Sequence, residues 1–467
     1  MKKAFSLYII IPLFLVGQHP VTLYDPLFAL QLPSLKFNQD LSFYRESNPW
    51  IYPSPTQKYF HIKQTQANFR LLPQVLFAEN STDHQFGIWA TATLDKITMM
   101  ADARLVQAQH NMDYFGSEYS RSGINGRVNT AFIRFENNRV LAQFGRAPVF
   151  WGASINNSII QSGLAPSYEH FDGKITMGDF TVEVLGGQLG SEYLSDETRI
   201  KRYISGHQVN WLSVNKSLLI GAGEQIIYTG QNRSLEWVYL NPFVPYVFSA
   251  FEKNEEPSGS GDNDNSIIFG YFRYNLKPNL SVYSEMIIDD YQLDDTGRQN
   301  ALGLNIGLDW GAHIFNKPTT GTFSYTQVDS WSYIHHGQFT NWENRNHPIG
   351  YYYGSDVRSV QMLMDIWVTP TLYLDLDYTY IEKGNNLLTS DWGNDVTDTD
   401  PFPSVPVNVY NFINVSLSRY MKYGLLELGW SNKPFDNEIA YDGQHFTEFG
   451  LYFKYHMVWG FGFDLEG

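Results

Sequence analysis

The chain has 467 residues, a formal net charge of -16, an aromatic content of 16% and no cysteine. The negative charge argues against nucleic-acid binding, because no basic stripe is available to neutralise phosphates. The lack of cysteine excludes disulfides, thiol catalysis and thiolate metal sites. A multi-pass helical membrane protein is also excluded, since it needs several apolar runs of about 20 residues and the sequence after residue 30 contains none.

The N-terminus predicts export. Two lysines precede an apolar stretch, residues 4–17, which is too short to span a membrane and is typical of a secretory signal. We predict a signal peptide over residues 1–29, with the cleavage site left open. Residues 30–57 follow as a proline-rich periplasmic segment, and the rest of the chain, residues 58–467, is predicted to form one domain.

Alternating apolar residues are the strongest signal in this domain. Every second residue from Leu302 to Trp310 is large and apolar, and residues 372–381 repeat the pattern, with leucine and tyrosine on one face and mainly polar residues on the other. Such alternation predicts a strand with a different solvent on each face. These segments reach about ten residues, the length that a tilted strand needs to cross a bilayer. We therefore predict an all-β fold, a transmembrane antiparallel β-barrel of about 16–18 strands with a lumen closed by inward loops.

Strand candidates follow one another along the whole domain. In the first half they are residues 58–70, 86–97, 98–108, 127–136, 139–146, 179–188, 203–214 and 218–228. In the second half they are residues 266–276, 280–288, 301–311, 322–331, 357–368, 372–381, 407–419, 425–431 and 446–456. Tight turns, such as Asn137-Asn138, alternate with long polar loops at residues 252–265, 332–356 and 383–406, so we expect the long loops to lie on the external face.

Two stretches break the alternation, residues 150–166 and residues 224–243. Their prolines, asparagines and glycines fit poorly in a central β-ladder. Irregular backbone at membrane depth is tolerated only where protein or lumen water satisfies its polar groups. This favours an inward-folded plug or constriction, while ordinary turns stabilised by asparagine and proline remain the alternative.

These stretches and their surroundings contain a series of short motifs, which are Trp151-Gly152, Asn157-Ser158-Ile159-Ile160-Gln161-Ser162, Ala165-Pro166, Ser205-Gly206-His207, Trp211, Gly223-Glu224 and Tyr239-Leu240-Asn241-Pro242. In this order, and together with the barrel pattern from about residue 58 to 310, the chain resembles the Wzi family of outer-membrane capsule-assembly proteins. The resemblance implies a barrel of about 18 strands, closed to free diffusion, that binds capsular or related exopolysaccharide and tethers it at the cell surface as a non-enzymatic lectin. The inward architecture that it implies consists of Trp151, Asn157, Ser158, Tyr228, Arg233, Glu236 and Asn241.

The chain departs from that family at the periplasmic mouth. Family members carry a helical bundle there, and the proline-broken segment 30–57 is too short for three helices. We predict one short helix over residues 190–202 instead, because charged residues cluster there. The chain also ends on Asp464-Leu465-Glu466-Gly467 rather than on the terminal aromatic residue that is usual for outer-membrane barrels.

Candidates for contact with the polymer lie in the predicted external loops. Flat aromatic faces pack against the apolar sides of sugar rings, and carboxylates bind hydroxyl groups. On this basis we single out Asp289, Asp290, Tyr291, Trp331 and Tyr333. A purely structural role for the aromatic residues stays open, because aromatic girdles flank outer-membrane barrels at both interfaces.

Other site chemistry has weaker support in the sequence. The acidic runs 262–265 and 289–290 contain the oxygen ligands that calcium prefers, but their spacing does not match an EF-hand. We therefore expect solvated acidic loops, no metal site and no cofactor. No compact hydrolase signature is present, so no catalytic residue is predicted.

The main alternative to a polysaccharide tether is a porin or substrate-specific channel. Arginines such as Arg134 and Arg273 and glutamates such as Glu183 and Glu285 would line an open lumen, yet the same charges would pair inside a plugged one. An apolar-substrate transporter would show an apolar gate and an N-terminal hatch, and neither is evident. The sequence therefore predicts a monomer in the bacterial outer membrane. Its expected partners are capsular or extracellular polysaccharide, outer-membrane lipid and the outer-membrane assembly machinery.

Overall fold

A computed structural model describes residues 7–8, 65–78, 81–107, 119–121, 124–154, 157–246, 248–249, 264–277, 279–290, 300–335, 339–369, 371–390, 401–421, 424–432, 450–457 and 459–464 of the protein. The predicted segments 1–29 and 30–57 lie outside the described residues apart from Leu7–Tyr8. Regular structure in the described ranges is almost entirely antiparallel β-sheet, with a single-turn 3-10 helix at Trp237–Leu240. No helix among these residues has the length and apolar content needed to cross a bilayer.

Eighteen long strands form the wall in the described part of the chain. The first nine are β1 (Thr65–Ala78), β2 (Ser81–Leu94), β3 (Ile97–Gln107), β4 (Ile124–Glu136), β5 (Val140–Ala147), β6 (Tyr168–Met177), β7 (Phe180–Gln188), β8 (Arg199–Leu212) and β9 (Leu218–Gly230). The other nine are β10 (Asn265–Lys277), β11 (Leu280–Asp290), β12 (Ala301–Ile314), β13 (Lys317–Val328), β14 (Val357–Thr369), β15 (Leu372–Lys383), β16 (Asn408–Met421), β17 (Gly424–Ser431) and β18, of which Leu451–Met457 and Trp459–Asp464 are described. Short strands at Leu7–Tyr8, Tyr119–Arg121 and Glu192–Tyr193 pair with β18, β4 and β8.

The strands pair in sequence order, and the sheet returns to its start. Each strand from β1 to β17 pairs antiparallel with the next one. The last strand, β18, pairs with β1 in both of its described ranges, with Ala78 opposite Tyr452 and Leu71 opposite Trp459. These pairings leave no free edge among the described strands of the wall, and the predicted β-barrel of about 16–18 strands is confirmed.

The connections differ at the two ends of the barrel. At one end, the short-turn end, neighbouring strands are joined by tight turns such as residues 95–96 and 315–316. At the other, the long-loop end, the connections include residues 148–167, 231–264 and 329–356. This agrees with the predicted alternation of connection lengths, and in barrels of this kind the long loops face the cell exterior.

Successive residues along each strand alternate between the two faces of the wall, so residues of the same parity, odd or even, lie on the same face. In β12, Ile306 faces outward and is 48% exposed although it is large and apolar, whereas Asn305 and Asp309 lie buried on the lumen side. Large apolar side chains are exposed in the same way around the wall, at Phe86, Ile133, Phe171, Ile220, Phe272, Met286, Phe323, Met362, Ile413 and Leu428. An apolar outer face around a polar lumen is what a bilayer requires, and it places the protein in the bacterial outer membrane.

The predicted helix over residues 190–202 is wrong. Glu192–Tyr193 instead pair with the start of β8, and Glu197 in the connecting turn has a left-handed φ of 66°. Because the backbone at the start of β8 is committed to strand pairing, its N–H and C=O groups cannot also serve a helix. Arg202, the last residue of the predicted helix, is fully buried on the lumen side.

The apolar outer face predicts the effect of placing a charge in it. Ile306→Arg should lower the free energy of unfolding by about 2–4 kcal/mol, because a guanidinium at this depth has to leave water for hydrocarbon. Val214→Arg is the matched control, since Val214 is exposed in the turn after β8 at the short-turn end and should cost less than about 1 kcal/mol. The measurement is reversible urea unfolding in lipid vesicles. Equal destabilisation by the two substitutions would contradict the assignment of the outer face.

Candidate functional site

The connection between β5 and β6, residues 148–167, folds into the lumen and is called the plug segment below. Trp151 near its start is buried, and its Nε1 donates a hydrogen bond of 2.9 Å to the Glu183 carboxylate in β7. The Trp151 ring lies against Gly206 of β8, where an added Cβ would approach the ring to 2.8 Å. Gly206 faces the lumen, because Val209, of opposite parity in the same strand, is exposed on the outer face. Trp151 thus attaches the plug segment to the inner wall.

A single carboxylate organises the middle of the plug segment. Glu285 of β11 is fully buried, and its Oε1 accepts hydrogen bonds of 2.6 Å from the backbone N–H groups of Ala153 and Ser154. Its Oε2 accepts from the N–H of Ile159 at 3.0 Å and from Asn305 Nδ2 at 3.2 Å. An ionised carboxylate only accepts hydrogen bonds, and it binds backbone N–H groups strongly. Glu285 therefore closes the plug segment into a compact loop around its own side chain.

Neighbouring strands supply a second set of bonds to the plug segment. Arg273 of β10 donates to the carbonyl of Ala153 at 3.0 Å and to Asp309 Oδ2 at 2.5 Å. Asn305 of β12 donates to the carbonyl of Asn157 at 3.0 Å. The pairing of Arg273 with Asp309 offsets the cost of burying both charges, which is high in a low-dielectric interior.

The connection between β13 and β14, residues 329–356, packs on the plug segment and is called the lumen loop. The fully buried Tyr333 donates from its hydroxyl to the carbonyl of Ile159, and the N–H of Ser162 donates to the carbonyl of Ile349 at 2.9 Å. Burial raises the pKa of the Tyr333 hydroxyl well above its usual range, so the hydroxyl stays protonated and remains a donor. Arg202 holds another part of the loop through bonds to three of its carbonyl oxygens, at 2.7, 2.8 and 3.0 Å.

The structure places most of the predicted polymer-contact residues around this loop. Trp331 is 7% exposed and Tyr333 is 0% exposed, so both rings pack against protein. Asp289 accepts a hydrogen bond of 2.5 Å from the N–H of Tyr333. Asp290 is the last residue of β11, and Tyr291 lies outside the described residues. A role for these five residues in polymer contact stays a prediction.

The strands β8 and β9 carry polar residues on their outer face. Gln225 of β9 faces the lumen and donates to Gln161 of the plug segment at 2.8 Å, so Glu224 and Tyr228, of opposite parity, face outward. His207 of β8 is opposite Glu224 in the register, and its Nε2 lies 2.9 Å from Glu224 Oε1. This pair of polar side chains interrupts the apolar outer face of the wall.

Residues 231–249, called the outer flap, cover these polar residues from outside. The N–H of Tyr246 donates to Glu224 Oε2 at 3.0 Å. Leu240, at the end of the 3-10 helix, lies over Gly186, an outward-facing position of β7 where an added Cβ would come within 2.5 Å of the leucine side chain. The outer flap therefore packs on the outside of the barrel, and its buried tyrosines form a cluster separate from the core inside the lumen.

Arg233 holds the outer flap together. Its guanidinium lies over the ring of Tyr228 at 4.9 Å, its Nη2 donates to Asp264 Oδ2 at 2.9 Å and its Nε donates to Glu236 Oε1 at 2.9 Å. Asp264 also accepts a 2.5 Å bond from the hydroxyl of Tyr239. Burial, with the Asp264 charge beside it, raises the pKa of Tyr239, so this hydroxyl stays a donor. The planar guanidinium of arginine can bond to two carboxylates and stack on an aromatic ring at the same time, which the compact ammonium group of lysine cannot do.

The predicted inward architecture therefore separates into two groups. One group lies in the plug segment inside the barrel, and its members are Trp151, Asn157 and Ser158. The other belongs to the outer flap or to the wall beneath it, and its members are Tyr228, Arg233, Glu236 and Asn241. The predicted inward placement of this second group is wrong. Tyr228 has the outward parity of β9, and the other three residues belong to the outer flap, which packs on the outer face of the wall.

Comparison with known proteins gives a likeness at the level of the fold. No protein-family model and no curated protein matches the sequence. Among solved structures, the chain is similar to Wzi from Escherichia coli, described as an outer-membrane protein involved in group 1 capsule assembly and a carbohydrate-binding β-barrel. The two share 14% identity with a TM-score of 0.60, over 93% of this chain and 98% of that chain.

Porins of Pseudomonas aeruginosa are similar at a lower level. OprD shares 10% identity with a TM-score of 0.43, over 87% of this chain and 97% of that chain. OccK2, solved in complex with glucuronate, shares 8% identity with a TM-score of 0.44, over 86% of this chain and 98% of that chain. The likeness to Wzi shows an outer-membrane β-barrel fold.

The plug segment contains a position that should not tolerate a side chain. Gly152 has a φ of +125°, and an added Cβ would lie 2.3 Å from Ser158 Oγ and 2.4 Å from Glu285 Oε1. Gly152→Ala should therefore destabilise the closed plug segment by about 1–3 kcal/mol and speed chymotryptic cleavage after Trp151 by about tenfold. Gly178→Ala is the matched control, since Gly178 also has a positive φ, +63°, but nothing lies within 4 Å of the added Cβ. Equal cleavage in the two variants would contradict this account.

Proposed function

We propose that the protein binds capsular or other extracellular polysaccharide at the long-loop end of the barrel and tethers it to the cell surface, without catalysing a reaction. The observation that carries the proposal is the packing of the plug segment and the lumen loop inside the barrel, anchored on Glu285. A pore needs a continuous water-filled path. A lumen occupied by two hydrogen-bonded segments is better suited to a receptor.

The likeness to Wzi, whose description names carbohydrate binding, supports the same proposal through the shared fold. The polymer would approach the lumen loop from the long-loop end. There, Asp289, Asp290 and Tyr291 would offer carboxylates and an aromatic ring. Trp331, which is 7% exposed, would contribute the part of its ring that solvent reaches, and the fully buried Tyr333 would hold the loop in place.

A substrate-specific channel is the second candidate, and one observation favours it. Charged side chains line the lumen in strands on the other side of the barrel from β11. In β3 the Arg104 guanidinium lies 2.5 Å from the Asp102 carboxylate, and the Lys454 ammonium of β18 lies 4.0 Å from the Glu427 carboxylate of β17. Charged lumen walls select ions and polar solutes in open barrels. In a channel, the plug segment would be a constriction beside that charged wall.

Single-channel conductance in a planar bilayer, with and without the extracellular polysaccharide of the host, distinguishes the two candidates. For a tether we expect no stable open steps, together with co-sedimentation of the protein with the polysaccharide. Stable steps of porin size that the polymer leaves unchanged, without co-sedimentation, would overturn the tether.

Glu285→Gln tests whether the plug segment keeps the barrel closed. Removing the charge weakens bonds that contribute about 1.5–3 kcal/mol each when charge-assisted, so open steps should become about tenfold more frequent. Glu427→Gln is the matched control, because Glu427 is also a buried lumen carboxylate but is bonded to Tyr452 of the wall, at 2.7 Å. If Glu285→Gln conducts no more than Glu427→Gln, Glu285 does not keep the lumen closed.

A further inference from the structure

The outer flap lies at a level where the wall faces hydrocarbon. Glu224, its anchor, is opposite Ile268 of β10 in the register, and Ile268 is exposed on the apolar outer face. Glu224 lies six residues inside the end of β9 at Gly230, which is about 20 Å along the strand and about 15 Å in depth at the tilt usual for such barrels. Irregular backbone at this depth requires that protein, and not lipid, surrounds its polar groups.

The inner side of the outer flap meets this requirement. His207 and Glu224 pair with each other, and the N–H of Tyr246 donates to Glu224. The hydroxyl of Tyr246 donates to the carbonyl of Tyr239 at 2.7 Å, and the ring of Tyr246 packs edge-on against His207 at 4.7 Å. The outer flap thus covers the polar residues of the wall with protein. The surface of the flap that points away from the wall is left facing outward.

The surface of the outer flap that points away from the wall carries exposed aromatic side chains. Trp237 is 82% exposed and Phe243 is 86% exposed, and large apolar side chains exposed in one short segment point to an interaction site. The wall beside the outer flap is already a lipid surface, with Val209, Ile220 and Ile268 exposed on it. Because the aromatic side continues that surface, acyl chains are the neighbour that it fits.

Basic side chains lie at the rim of the wall beside the outer flap. Lys201, on the outward-facing side of β8, is opposite Gly230, where an added Cβ would meet the side chain of Arg233 of the flap. Arg199 lies two residues before Lys201 on the same side of β8, and its Nε donates to Ser191 Oγ at 2.9 Å. The nearby carboxylates of Glu236 and Asp264 are bonded to Arg233. Among the described residues, no carboxylate forms a salt bridge with Arg199 or Lys201. Both cations can therefore bind an anionic group outside the wall.

We propose that the outer flap and the rim of β8 form a binding site for an anionic lipid of the outer leaflet. Its acyl chains pack on Trp237 and Phe243, and its phosphate pairs with Arg199 and Lys201. Two cations at the rim of the wall and exposed aromatic rings on the neighbouring flap match the amphipathic shape of a phosphorylated lipid. The site does not depend on polysaccharide binding, since it lies across the wall from the lumen.

Native mass spectrometry of the protein extracted from its own membrane tests the site. The wild type should retain a phosphorylated lipid, and the double variant Arg199→Glu with Lys201→Glu should lower the bound fraction about tenfold. Phe315→Ala is the matched control, because Phe315 is also highly exposed but lies in a turn at the short-turn end. Unchanged retention in the charge-reversed protein would overturn the proposal. So would a mass of two chains that Trp237→Ala reduces to one, since a second copy would then be the occupant.

A label that reports acyl chains provides a second measurement, which does not require the charge-reversed variant to fold. Because the chain has no cysteine, Trp237→Cys creates a unique site for a fluorescent label in vesicles of brominated phosphatidylglycerol. Bromine should quench this label as strongly as one on Val209→Cys, on the outer face, and several-fold more than one on Glu197→Cys, in the exposed turn before β8. Quenching at position 237 no stronger than at position 197 would place the outer flap in water and overturn the proposal.

Discussion

Every residue of the barrel wall faces either the bilayer or the lumen, because side chains alternate along a strand and pairing fixes the register of each strand against the next. This parity decides more than where apolar residues are allowed. It also decides on which side of the wall a long connection can be anchored. The plug segment finds its acceptor on the lumen side of β11, and the outer flap finds its acceptor on the outer side of β9.

The two anchors use the same chemistry on opposite faces. Glu285 accepts backbone N–H groups inside the barrel, and Glu224 accepts the N–H of Tyr246 outside it. Irregular segments bring donors that no β-ladder satisfies, and a buried donor left without a partner is costly. A carboxylate on a rigid strand supplies the missing acceptor in surroundings of low dielectric constant, where such a bond is strong.

The fold could be predicted because the alternation of large apolar residues with other residues is visible within a single strand, as it is from Leu302 to Trp310. The strand β6 has no counterpart among the predicted strands, because its charged residues, such as Glu169 and Lys174, mask the alternation. The site was less accessible to sequence reasoning. Glycine, proline and asparagine mark both irregular segments, but the side to which each one folds depends on contacts with distant strands. In the sequence Glu285 is only one of many charges suited to line a lumen.

The strands β1 and β18 are neighbours in the wall, although almost the whole length of the domain separates them in sequence. Closing so long a loop has a large entropic cost, and topologies dominated by distant pairings fold slowly. Until the last strand arrives, the edge of β1 has unpaired N–H and C=O groups that another chain can bind. The yield of folded protein should therefore depend on how long this edge is shielded during assembly more than on the stability of the finished barrel.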